Sequence, residues 1–273
     1  MDSHLPVRFV RILVKGAGDL ASGVIYRLWK AGFLVFVTEI ARPTAVRRTV
    51  SFASAVYEGS WTVQGVTARR VEDLNSAFAV QQAGFVPVLV DPEASVRSEL
   101  NPHVVVDGIM AKRNTGTHID DAPIVVALGP GFTAGVDCHA VVETQRGHNL
   151  GRVLYTGSAA PNTGVPGDVG GYTWERVLRA PTEGTFRALR SIGEIVNAGD
   201  TVAVVDGQPV VAAIRGVLRG LIHDGLKVSK GQKVGDVDSR ADISHCFSIS
   251  DKALSVGGGV LEAVLHLLYG QDR

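Results

Sequence analysis

The sequence is poor in the features that mark several protein classes. Its 273 residues hold two cysteines, Cys138 and Cys246, too few for the disulfide framework that staples small secreted domains. No apolar run approaches the ~20 residues that a helix needs to span a bilayer. Charge of neither sign is in surplus: 27 basic residues face 27 acidic ones. That balance withholds the basic field rewarded by nucleic acids and anionic membranes. The stretch from Met1 to Gly18 has no signal-peptide core and runs directly into a strand pattern. The expectation is a cytoplasmic protein without a nucleic-acid or membrane partner; a homo-oligomer is left open. Aromatics are scarce at 6% while glycine is abundant at 32 residues, which favours tight turns and close backbone approaches over a bulky aromatic core.

What is present is apolar periodicity. Val10–Val14 is a short β-branched run, Leu20–Trp29 carries apolar residues at helical spacing, and Leu34–Val37 is a second strand ending at Thr38-Glu39. Val50–Tyr57 and Trp61–Val71 read as β segments. Alternation then returns: Glu72–Ala83 helix, Val86–Val90 strand, Glu93–Leu100 short helix, and strands at Val104–Asp107 and Ile124–Leu128. Continuous runs such as Val104-Val105-Val106 suit strands buried on both faces. The expected fold class is α/β: an N-terminal Rossmann-type, doubly wound parallel sheet. Residues 129–174 are Gly-rich and aperiodic, as functional loops often are.

After Ala180-Pro181 the texture changes to short β segments. Glu194–Asp200 and Leu226–Asp236 resemble one another around a hairpin turn at Asp206-Gly207, which suggests a small pseudo-symmetric β module. In texture it is similar to a barrel-sandwich, biotinyl/lipoyl-like fold. Its hairpin tip, Val205-Asp206-Gly207-Gln208-Pro209, offers no lysine for a swinging arm, so the module reads as a scaffold or docking surface. The expected division is residues 1–179, residues 180–250, and a helix within residues 251–273 that packs back on the first unit. The glycines Gly257-Gly258-Gly259 would weaken that helix unless its backbone approaches another closely.

Lys15-Gly16-Ala17-Gly18-Asp19-Leu20-Ala21 fits G-x-G-x-x-A. Gly16 permits the turn out of the strand, Gly18 clears the helix N-terminus for phosphate, and Ala21 allows tight helix–strand packing. Glu39 stands where a carboxylate would accept ribose hydroxyls. Asp19 complicates this picture: it suits the helix dipole but repels a phosphate placed beside it. Asp19 could cap the helix while Ser22 faces the ligand. Arg42, Arg47 and Arg48 follow soon after and are natural phosphate partners; a solvated basic turn is the plainer reading. Asp107 ends another strand at the same expected edge. The cofactor-binding set is therefore Gly16, Gly18, Asp19, Ala21, Ser22, Glu39, Arg47 and Asp107.

In the Gly-rich region, Glu143, Arg146 and His148 place an acid, a guanidinium and an imidazole within six residues. They form the candidate catalytic set, able to hold an anion and move a proton near neutral pH, or simply to brace a long loop. Asp137-Cys138-His139 and His245-Cys246 do not match a metal spacing, and neither cysteine has the context of a nucleophile.

The phrases V-K-G-A-G-D-L-A-S-G, R-R-T-V-S-F, D-G-I-M-A-K-R-N, G-P-G-F-T-A-G-V-D, V-V-E-T-Q-R-G-H-N-L-G-R-V and S-D-K-A-L-S-V-G-G-G-V-L-E-A-V-L resemble the YqeB family, accessory proteins associated with selenium-dependent molybdenum hydroxylases. The resemblance covers nearly the whole chain. It implies a role in maturing or supplying the molybdenum cofactor, with a molybdenum hydroxylase or its maturation machinery as partner. It assigns no catalytic residues. The expected cofactor is a phosphorylated, nucleotide-like molecule of NAD(P) or molybdopterin type. An NAD(P)-dependent oxidoreductase, supported by the Gly-rich turn alone, and a non-catalytic adaptor docking through the β module are the alternatives.

Overall fold

The computed structural model describes residues 5–270. In chain order its elements are β1 (Arg11–Lys15), α1 (Asp19–Lys30), β2 (Leu34–Glu39), α2 (Ala55–Glu58), β3 (Ser60–Val63), β4 (Val66–Val71), α3 (Leu74–Gln82), β5 (Val86–Val90), α4 (Arg97–Leu100), β6 (Val104–Asp107) and β7 (Ile124–Leu128). Short strands follow: β8 (Thr133–Ala134), β9 (Ala140–Val142), β10 (Val153–Leu154) and β11 (Gly157–Ser158). Then come β12 (Val177–Arg179), β13 (Gly184–Ala188), β14 (Ile195–Val196), β15 (Thr201–Val205), β16 (Gln208–Val211), β17 (Gly216–Leu221), β18 (Lys227–Val228), β19 (Lys233–Asp238) and α5 (Asp251–Tyr269).

A nine-stranded sheet in the order β10-β9-β7-β6-β1-β2-β5-β4-β3 forms the centre. Because side chains alternate along a strand, neighbouring residues feed opposite cores. Ile12, Val14, Val35 and Val37 face α1 and α5, whereas Leu13, Phe36 and Val105 face the α3 side. A third core, around Phe186, Val202, Leu218 and Val237, lies within the later β segments.

Helix α5 crosses α1 with almost no side chain between them. A methyl group on Gly23 would strike the Ala253 carbonyl, one on Gly257 the Gly23 carbonyl, and one on Gly259 the Gly151 carbonyl. The close approach that could justify a glycine run inside a helix is therefore present. Gly258, the middle residue, meets nothing.

The expected fold class is corrected. The large sheet is mixed: β3 and β10 run antiparallel at its two edges, so it is not the doubly wound parallel sheet of a Rossmann domain. Several crossovers lack the helix that such winding requires. Between β6 and β7 there is only a 3-10 turn, and between β7 and β9 only the short β8. Residues 129–171 have no helical periodicity and supply short strands instead.

The biotinyl/lipoyl-like barrel-sandwich description is also withdrawn. The later segments form antiparallel sheets ordered β12-β19-β17-β14 and β16-β15-β13-β18. The two similar stretches supply β14 and β18, edge strands of different sheets that do not pair with each other. The second stretch also begins β19, and its Gly235-Asp236 lies inside that strand, whereas Gly199-Asp200 lies at a turn.

Val50–Tyr57, read as a strand, instead forms two 3-10 turns and α2. Its buried run Val50–Val56 shows why: an unbroken apolar stretch carries no period that separates strand from helix.

Candidate functional site

The parallel strands β1, β2 and β6 end together, and their following turns build one rim. Gly16 takes a left-handed conformation, φ +86°, and its amide donates to the Thr38 carbonyl at 2.8 Å. Gly18 caps α1 with open space around it, and Ala21 is buried with its methyl group close to Gly108. The Glu39 carboxylate accepts from the Ala17 and Ile40 amides, both at 2.8 Å. Burial nevertheless lifts its pKa above the usual carboxylate value. A cavity of about 450 Å³ opens beside Gly16, Gly18 and Glu39.

Two expected cofactor residues serve the backbone instead. Ser22 is fully buried; its hydroxyl donates to the Ala17 carbonyl at 3.1 Å and accepts from the Phe52 amide at 2.9 Å. It does not face a ligand. Asp107 accepts from the Thr117 hydroxyl at 2.6 Å and the Ile109 amide at 3.1 Å. The buried Lys15 ammonium donates to the same Thr117 oxygen at 2.6 Å, and desolvation lowers its pKa. Asp107 thus anchors the loop 108–117. Met110 and Lys112 on that loop hold left-handed backbones, φ 61° and 63°, a strained arrangement of the kind that collects at functional sites.

On the other side of that loop lies a larger cleft of about 710 Å³. It brings together the first turn of α1, the loop 108–117, residues 144–146 and 160–169, β12, β19 and the start of α5. Seven cationic side chains line it: Arg47, Lys112, Arg146, Arg176, Arg179, Lys233 and Lys252.

The acids nearby are already paired. Asp19 meets Arg47 at 3.2 Å. Asp236, 1% exposed, receives Arg176 at 2.6 Å and lies 3.9 Å from both Arg47 and Lys233. Arg146 holds Asp251 through two hydrogen bonds at 3.0 and 3.3 Å.

Burial works to lower the Arg47 pKa, but Asp19 and Asp236 outweigh it and raise it. Burial works to raise the Asp236 pKa, and Lys233, Arg47 and Arg176 outweigh that and lower it. Lys233 and Lys252 are both lowered, mainly by desolvation. The N-termini of α1 and α5 add their dipoles to the same cleft; Gly18 caps the first, and the Ser250 hydroxyl caps the second by accepting from the Ala253 amide at 3.1 Å.

The expected catalytic trio is not brought together. Glu143 is buried and accepts from the Gln145 and Ala160 amides at 2.7 and 2.8 Å, so it braces its loop. Arg146 reaches the cleft. His148 is exposed and is not among the cleft's lining residues. Arg42 and Arg48 donate to the Gly225 and Leu221 carbonyls, fastening the β segments to the sheet. His139 accepts from the Val125 amide. Burial pushes the Cys138 thiol up to about 12 and raises that of Cys246. Among the described residues no group of three His, Cys, Asp or Glu is placed to hold a metal ion.

Sequence reading missed Lys112, Arg176, Arg179, Lys233 and Lys252. They are scattered over more than a hundred positions, and no local motif links them. D-G-I-M-A-K-R-N and S-D-K-A contain two of them, and those phrases supported the family resemblance without marking a site.

No family model matches the chain. Over 258 residues, 94% of its length, it is 50% identical to the Escherichia coli (strain K12) protein described as Uncharacterized protein YqeB. The chain is similar to YqeB over nearly its whole length. It spans 48% of that relative's own length, about half. The match supports the YqeB resemblance and carries no activity with it.

Similar solved structures include an aspartoacylase family protein from Mesorhizobium loti, at 12% identity over 84% of each chain and a TM-score of 0.28. Another is a succinylglutamate desuccinylase/aspartoacylase from Rhodobacter sphaeroides, at 16% identity over 85% of this chain and 86% of that one, with a TM-score of 0.27. Likenesses this loose bring neither a fold nor a reaction to the chain. The Rossmann, nucleotide-binding description is not retained because the large sheet is mixed and several of its crossovers lack helices.

Proposed function

We propose that the protein holds a phosphorylated small molecule in the cationic cleft and acts as an accessory factor that presents it to a partner. The observation behind this reading is the convergence of seven cationic side chains and two helix N-termini on one cleft of about 710 Å³. Phosphate oxygens are the acceptors that such donors suit best. The family resemblance supplies the recipient: a selenium-dependent molybdenum hydroxylase or its maturation machinery, with a molybdopterin-type cofactor as cargo. The cation set fits the linked phosphates of such a cofactor in dinucleotide form, which Lys112, Arg179, Lys233 and Lys252 would hold. The metal chemistry would belong to the cofactor and the hydroxylase.

Titration of the protein with pyrophosphate by calorimetry tests the phosphate site. The affinity should fall steeply with salt and drop roughly tenfold when Lys252 becomes Met, as loss of a charge-assisted contact requires. Mass spectrometry of what co-purifies with the chain tests the cargo: a phosphorylated pterin supports the reading, whereas a nicotinamide nucleotide would return the oxidoreductase alternative.

A further inference from the structure

The cleft is cationic, yet an acid sits at its most anion-attracting point. Asp19 occupies the first turn of α1 and lines the cleft. One carboxylate oxygen lies 3.2 Å from Arg47, while the other is buried with no hydrogen-bond partner. A helix start beside a buried arginine is where an incoming anion would settle, and Asp19 already fills that electrostatic role. Arg47 is shared between Asp19 and Asp236, so it is largely neutralised before any ligand arrives. The cations whose pairing is weaker lie farther along the wall: Lys112, Arg179 and Lys252, none of which makes a salt bridge with an acid among the described residues.

We infer that Asp19 is a charge filter: a built-in counter-anion that rejects simple monoanions and single phosphates and admits ligands carrying two or more linked phosphoryl charges. A chloride, a carboxylate or a lone phosphate that settles at α1 meets the Asp19 charge and an arginine already in use. A linked polyanion spreads its charge along Lys112, Lys252 and Arg179, farther from Asp19, where a single phosphate would engage only part of that set, so the polyanion meets less of the repulsion. The inference rests on the phosphate reading of this cleft and narrows its ligand class to polyphosphoryl compounds. A unit charge removed at about 6 to 12 Å from an anionic ligand, at an effective dielectric constant near 20, changes affinity by roughly a hundredfold down to tenfold.

The test compares inorganic phosphate and pyrophosphate by calorimetry on the full chain and on Asp19→Asn, at one ionic strength and pH. The unaltered protein should prefer pyrophosphate by at least tenfold. In Asp19→Asn phosphate should bind at least tenfold tighter, with pyrophosphate gaining less, so that the preference shrinks. Asp19→Ser, a second uncharged variant at the first helical position, supplies the same comparison if the asparagine variant folds poorly, as judged by its melting curve. Pyrophosphate binding with an unchanged preference in the folded variants would overturn the filter and leave the phosphate site standing. Failure of the unaltered protein to bind either anion would overturn both.

Discussion

A polar side chain in a glycine-rich loop can face a ligand or hold its own backbone, and both uses leave the same letters in a sequence. Gly16 and Ala21 were legible because their roles are steric and local: a left-handed turn and a close helix–strand contact. Ser22, Asp107 and Glu143 were not, because what decides them is which amide or hydroxyl stands within 3 Å after folding. Arg146 shows a mixed outcome: it reaches the cleft, but its guanidinium is held by Asp251, 105 positions away. That pair depresses the Asp251 carboxyl, chiefly through the Arg146 hydrogen bond, to about 2.

A lowered carboxylate pKa contributes stability above its unfolded value of ~3.9, and that contribution is lost as pH falls towards the folded value. The affected window therefore runs from about pH 4 down to about 2. The Asp251 side chain is 72% exposed, so solvent screening keeps the contribution within ~1 kcal/mol. Arg146→Ala should return the Asp251 titration, followed by carboxyl NMR shifts, to the ordinary range near ~4. An unmoved titration would show that the pair does not persist in solution. His148→Ala, outside the cleft lining, should leave anion binding unchanged.

At the scale of elements, strands and helices with clear periods were legible to within a few residues: β1, α1, β2, the β3–β4 region, β5, β6, β7 and α5. Apart from Val50–Tyr57, whose unbroken burial carries no period, the failures have one physical origin, since sequence period reports burial on one face and nothing about what pairs at an edge. Antiparallel β3 and β10, the short strands of residues 129–158 and the pairing of β14 and β18 are all long-range hydrogen-bonding decisions. The glycine run of α5 is the opposite case, a local oddity with a long-range explanation in the Gly23–Ala253 crossing. Gly257→Val should destabilise the protein by about 2 kcal/mol or more, because the added atoms overlap α1 backbone that cannot move aside. Gly258→Ala should be neutral or stabilise by up to ~1 kcal/mol through helix propensity. Thermal unfolding of the two variants checks the pair, and equal losses would mean that the crossing is looser than described.

For the whole molecule, the β segments have their own core, but they are stitched to the sheet by Arg42, Arg48 and Thr49. The chain then returns to the sheet through α5. Cleavage near Ala180-Pro181 should therefore leave two pieces that stay associated on a sizing column under native conditions; separation into stable fragments would contradict this stitching. The same return path assembles the cleft, since Arg47 comes from the sheet side, Arg176 and Lys233 from the β segments, and Lys252 from the last helix. Only the folded chain brings these charges together, which is why its zero net charge concealed a strongly cationic site. Calorimetric titration with pyrophosphate at two salt concentrations, on the unaltered protein and on a Lys233→Met, Lys252→Met double variant, tests the central claim most directly. The account predicts saturable one-site binding that weakens with salt and falls by at least tenfold in the folded double variant. Absence of binding, or binding that neither salt nor the two substitutions weaken, would contradict it.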